Sequence, residues 1–189
     1  IVVGTDRMKT IVELNVDDLY MTCQPGLTTY DVQQAAAEVG LLFAPDPASY
    51  KDSYIGGNIA ENAGGMRTPK YGVTKHHVLG LEVVTGTGEI IRTGGRTVKN
   101  VVGFDLTGLM CGSEGMLGII TEATLRLLPM PEATSTVRAN FTSMAAACKV
   151  LTKFTPHGLL PMAMEAIDKF CIAAVEENFA FGLSRGAEA

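Results

Sequence analysis

The four cysteines of this 189-residue chain, Cys23, Cys111, Cys148 and Cys171, are far apart and never fall in a C-x-x-C spacing. That excludes a zinc or iron–sulfur centre and a disulfide scaffold, and predicts buried, reduced thiols in a cytoplasmic protein. No apolar run approaches the ~20 residues needed to cross a bilayer. Ile1-Val2-Val3 gives way at once to Gly4-Thr5-Asp6-Arg7, which is not a signal peptide, and the missing initial Met predicts that the natural start lies upstream. With a net charge of −5 and interspersed signs there is no basic stripe, so nucleic acid is excluded as a partner. Ser49, Ser53 and Ser113 lack nucleophile-elbow spacing, and no histidine sits beside a carboxylate in a recognisable pair. His76 and His77, read as adjacent residues of an extended chain, point to opposite faces, so no metal site is expected. A nicotinamide-binding G-x-G-x-x-G is also missing: Gly86-Thr87-Gly88 is followed by Ile91 at the third glycine position, inside a hairpin.

What the chain has instead is a concentration of backbone-exposing residues from Pro45 to Gly65. Four glycines and two prolines in these 21 residues disfavour any long helix or central strand, and the stretch is expected to be a loop. The pairs Gly56-Gly57 and Gly64-Gly65 let main-chain N–H groups approach a ligand, and successive N–H groups can form an anion-binding nest. Asn58 and Asn62, four apart, would share a face of one helical turn. No lysine lies between Lys51 and Lys70, so a phosphate held here is held mainly by dipoles.

The 47% hydrophobic content supports a packed core in one domain or a domain and a half. Residues 10–14 and 19–23 read as strands joined by an Asn/Asp turn, with Pro25-Gly26 ending the second. Thr28 caps a helix with Asp31 three residues on and an apolar face of Val32, Ala35, Ala36 and Val39, stopped by Gly40. Residues 78–85 and 89–92 form a hairpin around Gly86-Thr87-Gly88, and a short helix is expected near 105–109. Residues 117–128 are the clearest strand, closed by Pro129 and Pro131, which mark a domain boundary. Beyond them the pattern predicts strand 135–141, helix 143–154 capped by Thr142, strand 161–167 and helix 169–178 capped by Asp168, one layer of each. The apolar faces of these two helices are read as Ala145, Cys148, Leu151 and Thr152, and as Phe170, Ala173, Ala174 and Glu177.

Pro45-Asp46-Pro47-Ala48-Ser49, Ile55-Gly56-Gly57-Asn58 and Asn62-Ala63-Gly64-Gly65 resemble the flavin-binding loop of the FAD-linked oxidase family, the vanillyl-alcohol-oxidase-like flavoproteins, and within it the glycolate oxidase D-subunits and D-lactate dehydrogenases. Lys99-Asn100-Val101-Val102-Gly103-Phe104-Asp105-Leu106 and Gly112-Ser113-Glu114-Gly115-Met116-Leu117-Gly118-Ile119 continue the resemblance in the family's order. Phe104, Tyr54 and Met116 depart from a more usual tyrosine, small hydroxyl residue and threonine.

The resemblance implies an α+β fold. A two-lobed PCMH-type FAD-binding domain would occupy residues 1–130, with a partial first lobe to 44 and a second lobe from 45, and the start of an α+β cap domain would occupy 131–189. It implies FAD contacts from Pro45, Asp46, Ser49, Ile55, Gly56, Gly57, Asn58, Asn62, Ala63, Gly64 and Gly65. Tyr71 would flank the flavin ring, backbone groups of Gly118 and Ile119 would meet its edge, and Glu114 would orient the loop or accept a ribose hydroxyl. The implied reaction is hydride transfer from a D-2-hydroxy acid, glycolate or D-lactate, to flavin, giving the 2-oxo acid. Catalytic residues come largely from the cap domain, and none carries over to this chain. An iron–sulfur or second flavoprotein-like subunit is the implied partner, with attachment to the inner face of the membrane only through such a partner. Because residues 1–9 contain only Gly4, the chain alone is expected to bind FAD weakly or not at all. The alternative is a non-catalytic subunit or interaction module that keeps the scaffold without the cofactor.

Overall fold

The computed structural model describes residues 3–189. The chain divides into two compact units, one ending at Pro131 and the other comprising Glu132–Ala189.

The first unit is built on an antiparallel sheet whose strands are β1 (Ile11–Asn15), β2 (Tyr20–Cys23), β4 (Val78–Val84), β5 (Ile90–Gly94) and β6 (Ile119–Arg126). Their order is β1-β2-β6-β4-β5, so β6, the last in sequence, is the centre. A second, two-stranded ladder pairs β3 (Leu41–Leu42) with β7 (Leu128–Pro129). Helix α1 (Thr29–Glu38) starts with a reciprocal capping box between Thr28 and Asp31. It buries Thr29, Val32 and Ala36 against Leu41, Phe43, Met21, Leu125 and Leu127, which with Ile55 and Ile59 form the core. Val39, expected on that face, is exposed.

Strand β6 does not keep the simple alternation read from its sequence. Glu82 of β4 pairs with Glu122, but Val83 pairs with Ile120, so Thr121 is an extra residue on β6. This bulge exchanges the faces at the start of the strand: Ile120 goes into the core and Ile119 is turned out. The Thr121 hydroxyl secures the distortion by donating to Glu82 Oε1 at 2.8 Å.

Between Pro45 and Gly65 the expected uninterrupted loop is corrected by helix α2 (Ile55–Ala60), which carries the first Gly-Gly pair. Ile55 and Ile59, four apart and at most 1% exposed, anchor this helix in the core, and tertiary burial overrides the low helix propensity of glycine. Helix α3 (Thr68–Tyr71) and a one-turn 3-10 helix at Thr74–His77 follow, so the two histidines are not on an extended chain. Helix α4 (Leu106–Met110) is capped by Asp105. Among the described residues no helix is long and apolar enough to cross a membrane.

In the second unit, helix α5 (Met144–Phe154) is capped by Ser143 and not Thr142, the Ser143 hydroxyl accepting from Ala146 N–H at 3.2 Å. Helix α6 (Lys169–Asn178) is capped by Asp168, as its sequence predicts. The apolar faces differ from expectation: α5 buries Ala147 and leaves Cys148 exposed, while α6 buries Ile172 and Glu176 and leaves Phe170 exposed. Cys171 is exposed as well, so only Cys23 and Cys111 are the buried thiols expected. The strands expected at 135–141 and 161–167 do not form among the described residues, and the strand–helix layering with them. Phe141 exchanges backbone hydrogen bonds with Glu188 and Ala189, but 135–140 have no ladder partner, and an extended segment without one is not a strand.

His77 is 2% exposed and packs edge-on to Phe43, donating from Nε2 to the Tyr71 carbonyl at 3.0 Å. Its Nδ1 is buried without a partner among the described residues. Burial holds the imidazole below its ordinary value of 6.5, opposed by the Tyr71 hydrogen bond. A depressed pKa means that the unfolded chain takes up the proton first, so this stabilisation is complete above pH ~6.5 and lost as pH falls through the folded pKa. The melting temperature will therefore fall between pH 7.5 and 5.5, and His77→Gln, which keeps a donor but cannot titrate, will reduce that fall; equal slopes in the two proteins would contradict the assignment.

Candidate functional site

The first two N–H groups of α2 are used by the scaffold. Ile55 N–H bonds the Leu27 carbonyl at 2.8 Å and Gly56 N–H the Pro25 carbonyl at 2.9 Å. A Cβ on Gly56 would lie 2.6 Å from Pro25 Cβ, so this glycine is a packing glycine. Gly57 differs. Nothing lies within 4 Å of the position its Cβ would take. Its N–H, the third of the helix, has no acceptor among the described residues, since Tyr54 at the cap contributes no side-chain bond and Asn58 N–H takes the Tyr54 carbonyl. An unpaired donor on a residue that lines open space is what an incoming acceptor needs.

The other end of α2 is tied to the second glycine motif. Gly112 N–H donates to the Ile59 carbonyl at 3.0 Å and Glu114 N–H to the Ala60 carbonyl at 2.9 Å. Gly118 then passes so close to β4 that a Cβ would meet Val83 Cγ1 at 2.5 Å and the Val84 carbonyl oxygen at 2.7 Å. Together these contacts set the loop before β6 alongside Gly57. Between them lies a cleft of about 610 Å³, a volume within the range of small-molecule and cofactor sites.

Of the residues singled out in the sequence, Ser49, Gly56, Gly57, Asn58, Ala63, Gly118 and Ile119 line this cleft. Asn58 also donates its amide to Thr29 Oγ1, fastening α2 to the first turn of α1. Ile119 reaches the cleft because of the Thr121 bulge.

The remaining expected residues lie outside the cleft lining and hold the loop together. The Pro45 carbonyl accepts from Gln33 Nε2 at 2.8 Å. Asp46 pairs with Arg67 Nε at 3.0 Å, yet burial outweighs the ion pair and pushes its carboxyl above the ordinary range. Ile55 is core. Asn62, at φ 52°, accepts Lys75 N–H on Oδ1 at 2.9 Å, and a Cβ on Gly64 would meet the Thr68 hydroxyl oxygen at 3.3 Å. Gly65 sits where any Cβ would overlap the Asp46 carbonyl. Tyr71 lies under Lys70 and holds His77. The exposed Glu114 side chain accepts no backbone N–H among the described residues, so of the two roles expected of it the loop-orienting one falls to its amide, and the ribose contact is not touched by this.

The cleft also takes in Thr5, Pro25, Asp52, Ser53, Glu61 and Ser113, which sequence reasoning left out. Ser53 is the one with a readable signal, a small hydroxyl one residue before the large Tyr54 in Ser53-Tyr54-Ile55-Gly56-Gly57. Tyr54 turns its hydroxyl to Asp6 Oδ1 at 2.7 Å, which lowers the Asp6 carboxyl and raises the phenol. Among the described residues no lysine or arginine lines the cleft. Burial pushes Cys23 up to about 12 and Cys111 up to about 11, so neither is a thiolate nucleophile at neutral pH. Among the described residues no cluster of three or more His, Cys, Asp or Glu is placed to hold a metal.

An α+β domain with a glycine-rich helix start and a strand entry facing one uncharged-donor cleft is the PCMH-type flavin-binding class of fold. The chain belongs to the FAD-linked oxidase family: residues 1–94 match the family model described as "FAD binding domain" and residues 130–189 the one described as "FAD linked oxidases, C-terminal domain". It is 44% identical over 183 residues to the glycolate oxidase subunit GlcD of Bacillus subtilis, covering 97% of this chain and 39% of that protein. It is 36% identical over 177 residues to a D-lactate dehydrogenase of Anaerostipes hadrus, covering 94% and 37%. The chain thus spans under half the length of these relatives. A solved alkyldihydroxyacetonephosphate synthase shares the fold, with a TM-score of 0.70 at 24% identity over 84% of this chain and 28% of that one.

The glycine contacts make separable predictions. Gly65→Ala will destabilise the chain by ~1–3 kcal/mol in urea unfolding through overpacking against Asp46. Gly95→Ala, whose Cβ enters open space, will stay within ~0.5 kcal/mol of the parent. Equal costs for the two would show that the Asp46 contact does not constrain the loop.

Proposed function

We propose that this chain is part of an FAD-dependent oxidoreductase that oxidises a D-2-hydroxy acid, glycolate or D-lactate, to the 2-oxo acid. The observation that carries the reading is the Gly57 N–H, unpaired among the described residues at the start of α2, on a residue that lines one cleft with Gly118 and Ile119. FAD when bound supplies a hydride acceptor for the substrate α-carbon. In this reading the chain binds and orients. Gly57 N–H and the hydroxyls of Ser49 and Ser53 hold the diphosphate, backbone groups of Gly118 and Ile119 meet the rim of the flavin ring, and Ile119 and Ile120 exclude water beside it. These uncharged donors act in a partly desolvated site, where each is worth more than in water. The names of the two relatives support the substrate class. The word "subunit" in one of them favours a partner chain, an iron–sulfur or second flavoprotein-like subunit, that carries electrons onward.

Gly57→Ala tests the reading because its effects on fold and ligand oppose one another. Replacing a helical glycine with alanine stabilises by ~0.5–1 kcal/mol, so the melting temperature will rise slightly. The added methyl enters the cleft that Gly57 lines, and an acceptor displaced by it from the N–H loses a hydrogen bond to a charged group, which weakens FAD binding about tenfold or more. Binding is read by quenching of flavin fluorescence, and in the parent chain it is weak enough for the flavin to be lost on gel filtration. The reading fails if the parent does not quench at millimolar flavin, or if Gly57→Ala binds FAD as the parent does.

A further inference from the structure

We propose that Thr29 is a positioning residue for the cleft: its one buried hydroxyl holds in place Ser53 and Asn58, polar side chains that stand before and after Gly57 in the lining. This rests on the flavin reading above and adds to it a residue that the ligand does not touch.

Thr29 is fully buried, at 0% exposed, and is not part of the cleft lining. It is the first residue of α1, where an N–H has no acceptor within the helix. That N–H bonds the Ser53 carbonyl at 3.0 Å. Its Oγ1 lies 3.2 Å from Ser53 Oγ and 3.4 Å from the Ser53 carbonyl oxygen, and it accepts the Asn58 amide. Ser53, whose own N–H bonds the Ser49 carbonyl at 2.8 Å, lines the cleft, and so does Asn58. One hydroxyl therefore joins the approach to α2 with the middle of that helix, on either side of Gly57 along the chain.

A threonine hydroxyl has one proton and two lone pairs. The Asn58 amide takes one lone pair, which leaves the proton and the second lone pair for Ser53. Ser53 Oγ in turn spends one of its own sites on Thr29 and keeps the rest for the cleft. Because Thr29 also meets the Ser53 backbone, the contact between the two hydroxyls selects one Ser53 rotamer. A valine would fill nearly the same space with no buried polar atom to satisfy, so packing alone does not account for a hydroxyl at this position. A buried polar network whose members are all satisfied fixes one arrangement of the groups it joins. Here it fixes two polar side chains of the cleft before any ligand arrives, and side chains ordered in advance lose less entropy on binding.

The test titrates FAD into the full chain, read by quenching of flavin fluorescence well below every melting transition, and records the melting temperature of each protein. Thr29→Val keeps the volume and loses the hydroxyl, while Thr29→Ser keeps the hydroxyl and loses a buried methyl. Both will melt below the parent. Affinity will separate them: Thr29→Ser will bind FAD within about twofold of the parent, and Thr29→Val about three- to tenfold more weakly, the size of one hydrogen bond. In a Ser53→Ala background the further loss from Thr29→Val will shrink to about half or less, because the two residues act through one contact. Three results overturn the positioning role and leave the flavin reading standing: Thr29→Ser binding as weakly as Thr29→Val, Thr29→Val binding as the parent does, or full additivity with Ser53→Ala. No quenching by any of these proteins at millimolar flavin overturns the flavin reading and the positioning role with it.

Discussion

Two backbone hydrogen bonds, from Gly112 N–H to the Ile59 carbonyl and from Glu114 N–H to the Ala60 carbonyl, make one site out of two glycine motifs more than fifty residues apart. The last carbonyls of a helix have no intrahelical donor and must find one outside it. Here Asn58 and Ile59 take donors from Ala63 and Asn62 just beyond the helix, and Ile59 and Ala60 take the backbone of the loop that leads into the central strand of the sheet. The C-terminal end of α2 is thereby satisfied and the start of β6 positioned in the same contact. Everything on the cleft side follows from this coupling: Gly57 at one wall, Gly118 and Ile119 at the other.

The glycines around the cleft divide by what a Cβ would meet. Gly56 and Gly65 are glycine because backbone or proline lies where the side chain would be, and Gly118 because it runs against β4. Gly57 has no such neighbour. Close packing accounts for Gly56, Gly65 and Gly118 and a positive φ for Gly112 and Gly115, and Gly57, which has neither reason, keeps its N–H free among the described residues. The Thr121 bulge contributes the same kind of economy on the other wall: a single inserted residue sends Ile120 into the core and Ile119 to the cleft.

Much of the fold was legible because it is carried by local chemistry. The Thr28 and Asp168 caps and the hairpin of β4 and β5 are each fixed by a few neighbouring residues. The strand read over 117–128, by contrast, is shorter, Ile119–Arg126, and Pro129, expected to close it, pairs with Leu41 in β7. What was not legible depends on distant partners. Residues 55–60 read as loop from their glycines, but Ile55 and Ile59 are drawn into a core supplied by β2, α1 and β6. The segments 135–141 and 161–167 have strand-like composition and no ladder to join. At the site, some of the expected residues share one cleft and others brace the loop beside it. Asn62 and Gly65 brace the loop, and Glu114 joins it to α2 through its amide. Asp52 and Glu61 carry no motif and became visible only through the cleft they share.

The coupling between α2 and the loop before β6 is most directly tested by amide hydrogen exchange. If the two bonds organise the site, the Gly112 and Glu114 amides will exchange slowly, with protection close to that of Ile59 and far above that of Gly88 in the β4–β5 turn. Exchange of Gly112 and Glu114 as fast as Gly88, while Ile59 remains protected, would contradict the account, because the two motifs would then be neighbours without being joined.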